Sequence, residues 1–123
     1  MKYMILIHSN PQSREIWDGF SDAEKAEGYA EYSALAEELR ASGELTVAEA
    51  LADASLTKTV TVTDGRTIPS DGPFAEAKEL LAGFFLIECD TMDRAIEIAG
   101  RIPEAELGLV EVRPIMVLSG DDI

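Results

Sequence analysis

The spacing of hydrophobic and polar positions changes several times along this chain, and each change predicts an element. Lys2–His8 alternates and is rich in Ile and Leu, which predicts a strand. Asn10-Pro11-Gln12-Ser13 breaks the pattern. Ser21-Asp22-Ala23-Glu24 has the form of a capping box and predicts a helix reaching about Ser42, with Gly43 as its stop. Tyr29, Tyr32, Leu35, Ala36 and Leu39 form the expected apolar stripe of that helix. Leu45–Leu51 and the Thr/Val alternation of Lys58–Thr63 predict two strands. Asp64-Gly65 predicts a tight hairpin turn into Arg66-Thr67-Ile68. Gly83–Cys89 predicts the next strand. A second helix follows, with Met92, Ala95, Ile96, Ala99 and Ile102 as its buried stripe and Pro103 at its end. Leu109–Val117 predicts the last strand.

The resulting order is β-α-β-(β-hairpin)-β-α-β. It describes an α+β fold, a ferredoxin-like split βαβ sandwich with an inserted hairpin. Residues 1–118 are expected to form one domain and residues 119–123 a short acidic tail. Both helices would cover one sheet face. Tyr3, Ile5 and Ile7 of the first strand and Phe85, Ile87 and Cys89 of the fourth belong beneath them, because strand side chains alternate between faces. The opposite face would hold Met4, Leu6, Phe84, Leu86, Leu109 and Ile115, together with His8, Glu88, Glu111 and Arg113. An open apolar surface of that extent predicts a partner, most simply a second copy packed sheet to sheet. The ionisable residues would then converge on a cavity between the copies.

Composition narrows the partners. The 123-residue chain is 46% hydrophobic with a mean hydropathy of +0.01, enough for a core. Its net charge is −14, and no segment is basic, so nucleic acid and anionic membrane surfaces are not expected partners. The N-terminal apolar run is too short to span a bilayer, and a cytoplasmic location is the default expectation. The single cysteine, Cys89, excludes an internal disulfide, and one His with scattered carboxylates lacks metal-ligand spacing. No cofactor motif is present: no glycine-rich phosphate loop precedes a helix.

The most informative local motif is Asp71-Gly72-Pro73-Phe74, a turn just before the strand Gly83–Cys89. Around it stand Met1-Lys2-Tyr3-Met4, Gly83-Phe84-Phe85-Leu86-Ile87-Glu88, Arg101-Ile102-Pro103 and Val110-Glu111-Val112-Arg113-Pro114-Ile115. In this frame the chain resembles the DGPF branch of the YCII-related proteins along residues 1–117. The resemblance implies a dimeric α+β barrel in a bacterial cytosol and a family whose role is largely unassigned. Some YCII relatives are linked to breakdown of chlorinated aromatics, and some DGPF relatives to alternative sigma factors. The chain departs from the pattern in three places. Residues 22–42 lack the His that often forms a His/Asp pair in the wider group. His8 stands where DGPF relatives often have Tyr, and Ala77 replaces a common Thr.

Two function classes follow. One is a cofactor-free enzyme doing proton transfer, an isomerisation or elimination, on a small organic molecule. His8 and Asp71 would be catalytic, and Phe74, Lys78, Glu88, Glu111 and Arg113 substrate-binding. The other is a non-catalytic small-ligand-binding or regulatory dimer associated with transcription. Each site residue also has a structural reading: His8 as a strand-end imidazole bonded to a carboxylate, Asp71 as a turn residue, Phe74 as an anchor, Arg113 with Glu111 as a surface ion pair. Cys89, on the helix side, reads as core.

Overall fold

The computed structural model describes residues 1–118 and contains six strands and three α-helices over them. The strands are β1 (Lys2–Ser9), β2 (Leu45–Ala50), β3 (Lys58–Thr63), β4 (Arg66–Asp71), β5 (Leu80–Glu88) and β6 (Val110–Pro114). The helices are α1 (Pro11–Asp18), α2 (Asp22–Ala41) and α3 (Met92–Ala99). β2, β5, β1 and β6, in that order, form an antiparallel sheet, while β3 and β4 pair separately. β1 thus lies between β5 and β6, the arrangement expected of a ferredoxin-like split βαβ sheet with an inserted hairpin. The expected acidic tail at 119–123 lies outside the described residues.

Period-two alternation places Tyr3, Ile5, Ile7, Phe85 and Ile87 on the helix-covered face, where they meet Leu35 and Leu39 of α2 and Ala95, Ile98 and Ala99 of α3. Tyr32 adds its ring beside Phe85, with centroids 6.5 Å apart. Leu39, Ile5, Ile87 and Ile98 are fully buried. Each such side chain contributes about 1.5–3 kcal/mol of hydrophobic stabilisation. Cys89 is buried on this face, as its position in the alternation requires.

Caps set the helix limits. Ser21 and Glu24 form the expected capping box at the start of α2. Asn10-Pro11, expected to be a break only, instead starts α1. Asn10 accepts from the Ser13 amide, and Pro11 occupies the first turn, where its missing N–H costs nothing. Trp17 of α1 packs edge-on to Tyr29 and against Phe20 and sits over Gly28, so Tyr29 serves this small helix–helix contact and is exposed to solvent. On α3 the expected stripe holds at Ala95, Ala99 and Ile102, which are buried, and at Met92, which packs on the core, but Ile98 is buried where Ile96, which is exposed, was expected. β6 ends at Pro114, short of the expected Val117, and Leu109 is buried where an open sheet face was expected.

The hairpin turn has left-handed backbone at both central residues, Asp64 (φ 51°) and Gly65 (φ 75°), the conformation that joins twisted antiparallel strands in two residues. β3 and β4 face solvent along nearly their whole length and pack little on any other element.

Candidate functional site

The sheet face away from α2 and α3 is uncovered. Register across it aligns Val47, Leu86, Met4 and Arg113 in one row and Glu49, Phe84, Leu6 and Glu111 in the next. Met4, Leu6, Phe84 and Leu86 are half-buried and form an apolar floor. The contribution of β2 was not expected, because a register shift between Leu45 and Val47 hides its alternation. The alternation resumes at Val47, Glu49 and Leu51, and that was the available signal.

His8 ends this floor. A bulge between Ile7 and His8, opposite Leu81 and Gly83, interrupts the ladder there, and the His8 amide donates to the Leu109 carbonyl at 2.8 Å. Glu111 lies opposite Leu6, two residues before His8, and reaches diagonally so that His8 Nε2 donates to Glu111 Oε1 at 2.7 Å. The imidazole is 19% exposed and the carboxylate 70%. Nδ1 is buried and has no hydrogen-bond partner. Glu111 therefore presents the pair to the open face while His8 backs it from within. Arg113, two residues along β6, shares the face and has no carboxylate within 4 Å among the described residues. A proton acceptor, a hydrogen-bonded imidazole and a free guanidinium thus border an apolar floor. That combination suits a small planar molecule that loses a proton and gains negative charge.

The other expected site residues are elsewhere in the chain. Glu88 shares the face but pairs with Lys2, at the end of β1 opposite His8. Six residues at about 3.3 Å each put about 20 Å between them, so the antiparallel register prevents the expected convergence. Asp71 ends β4 and is ion-paired with Lys58 in the separate hairpin. Phe74 follows it, 78% exposed, instead of bordering a pocket, and Lys78 is exposed as well. Gly72 (φ 86°) turns the chain there and donates its amide to the Thr57 carbonyl at 2.8 Å. Two concavities occur on other surfaces. One, of about 480 Å³, is lined by Met92, Ile96, Ala99, Val110 and Val112; the other, of about 520 Å³, by Glu31, Leu35, Arg101 and Glu106. No three His, Cys, Asp or Glu side chains gather as metal ligands among the described residues.

A split βαβ sheet with an inserted hairpin, one face uncovered, defines the fold class. The chain matches the YCII-related domain over residues 1–119 and belongs to that family. It is 32% identical over 117 residues to an uncharacterized protein of Rhizobium meliloti (strain 1021), covering 94% of this chain and 92% of that one. Its fold is similar to that of 5-chloro-2-hydroxyhydroquinone dehydrochlorinase from Burkholderia phenoliruptrix AC1100, solved in complex with 2,5-dihydroxybenzoquinone. The TM-score is 0.54 at 19% identity, with 94% of each chain covered. Among the described residues no helix is long and apolar enough to cross a membrane.

Proposed function

We propose that the chain is a cofactor-free cytoplasmic enzyme that moves a proton in an elimination or isomerisation of a small organic molecule. The observation that carries this reading is the His8–Glu111 pair, 2.7 Å apart at the edge of an uncovered apolar floor that also holds Arg113. The similar fold of a dehydrochlorinase supports the reaction class. A second copy, packed face to face, would close the floor into a cavity and strengthen each electrostatic contact by excluding water.

In an elimination of this kind a substrate proton passes to Glu111. The electrons of the broken bond to hydrogen become a new π bond. The leaving group departs with its bonding pair as chloride or a similar anion. His8 stabilises the carboxylate by donating to it, Glu111 releases the proton to solvent once product leaves, and Arg113 balances negative charge developing on the substrate. Catalysis is tested by chloride release from 5-chloro-2-hydroxyhydroquinone and binding by titration with 2,5-dihydroxybenzoquinone. Glu111→Gln and His8→Gln are each expected to lower turnover by about 10²–10⁴-fold. Full turnover in both variants would refute the assignment. Leu6→Glu with Leu86→Glu should give a monomer by size exclusion with light scattering, and an intact dimer would rule out pairing through this face.

A further inference from the structure

We propose that the β3–β4 hairpin is an arm that packs on the bare sheet face of a second copy and supplies Asp71 and Phe74 to that copy's site. The inference rests on the dimer reading above and specifies what completes its site. A two-stranded ribbon is at best marginally stable in water by itself. This one packs little on its own protomer, yet Val60 and Val62 remain 64% and 65% exposed. Those two valines and Pro69 line one face of the ribbon, because Val60 opposes Pro69 and side chains alternate. Lys58 and Asp71, also opposed, lie on that same face. Any surface that covers the valines therefore receives the Asp71 carboxylate, with Phe74 three residues further on.

Area and charge select the occupant. Four strands about 4.8 Å apart and about 20 Å long present about 400 Å² in projection. A stable dimer buries about 800 Å² per partner. Side chains raise the accessible surface of that face above its projection, and an arm from each copy adds further area that a dimer can bury. Two copies of net charge −14 repel each other. Residues 57–79 carry three cations and four anions, so the arm is nearly neutral and meets the least repulsion on a second copy. This placement would bring Asp71 and Phe74, which belong to the ribbon and not to the four-stranded sheet of their own chain, to the His8–Glu111 pair of the second copy.

The test is an isotope-filtered NOE experiment on the full chain, mixed from methyl-labelled and unlabelled protein, with mass measured by light scattering on the same sample. Intermolecular NOEs from Val60 and Val62 to Met4, Leu6 or Leu86 are expected. A dimer whose arm methyls give only intramolecular NOEs overturns the inference and leaves the dimer reading intact. A monomer at NMR concentration overturns both. Val60→Glu with Val62→Glu, outside the His8–Glu111 pair, should weaken dimerisation at least about tenfold. Dimerisation unchanged within twofold would overturn the arm assignment independently.

Discussion

Replacing Glu44 with Gln should destabilise the protein, and the loss should vanish in acid. Glu44 follows the end of α2, where its amide donates to the Leu39 carbonyl at 2.9 Å and its own carbonyl accepts from the Glu88 amide at 2.8 Å. Arg94 of α3 grips its carboxylate with two hydrogen bonds, Nε to Oε2 at 2.8 Å and Nη2 to Oε1 at 2.9 Å, and the Ser42 hydroxyl adds a third at 2.8 Å. These bonds hold the Glu44 carboxyl at about 2, down from 4.5, with Arg94 the largest cause and Ser42 the next. That difference corresponds to at most about 3 kcal/mol. Glu44 is 17% exposed but Arg94 35%, so solvent screening reduces the contribution to about 1–2 kcal/mol. A depressed folded-state value means that the stabilisation is complete above about 4.5 and fades as pH falls toward 2. Urea unfolding of the wild type and Glu44→Gln at pH 7 should differ by about 1–2 kcal/mol, with a Tm difference of about 4–8 °C. At pH 2.5 most of the difference should be gone. A difference that stays constant between pH 7 and 2.5 would refute the linkage, and one below about 0.3 kcal/mol at pH 7 would refute the ion pair as a stabiliser.

Two further predictions concern β5 and its end. A Cβ at Gly83 would lie 2.9 Å from the Glu49 carbonyl oxygen, a backbone atom of the neighbouring strand; Gly83→Ala should therefore cost about 1–3 kcal/mol in denaturant unfolding, and wild-type stability would show that β2 yields freely. Burial pushes the Cys89 thiol up, and its Sγ lies 3.4 Å from the Thr91 carbonyl; thiol labelling at pH 8 should be slower than for free cysteine by an order of magnitude or more, and equal rates would mean that the core opens readily there.

Local signals made most of the fold legible. Tyr3, Ile5 and Ile7, like Phe85 and Ile87, alternate strictly, and burial on one face follows directly from strand geometry. Ser21 with Glu24 and Asp64 with Gly65 use chemistry that has few other uses. Asn10-Pro11 was legible in principle, since Pro is as compatible with a first helical turn as with a break. Ile96 and Ile98 differ by two positions on a helix, and only packing against β6 and β1 selects Ile98. For the site, strand parity put His8, Glu111 and Arg113 on one face, and register then decided which of them meet. Parity could not separate Glu88, which shares the face at its far end. Asp71 and Phe74 depend on where a hairpin points relative to the sheet, and no local pattern encodes that direction.

The central position of β1 governs the order in which the chain can fold. His8 meets Glu111 across 103 residues and Ser9 meets Leu80 across 71, so the strand at the middle of the sheet has both neighbours far downstream. During synthesis at about 5–20 residues per second, β1 waits about 5–20 s before β6 leaves the ribosome. Until β5 emerges, 71 residues after β1, Tyr3, Ile5 and Ile7 have neither sheet neighbour to pair with and make an adhesive stretch for a chaperone or a neighbouring nascent chain, and the β6 side stays open longer still. Sheet assembly is accordingly a late, largely post-translational event with a slow, high-contact-order search. Any lesion that removes β6 strands the whole sheet, however intact the earlier helices are.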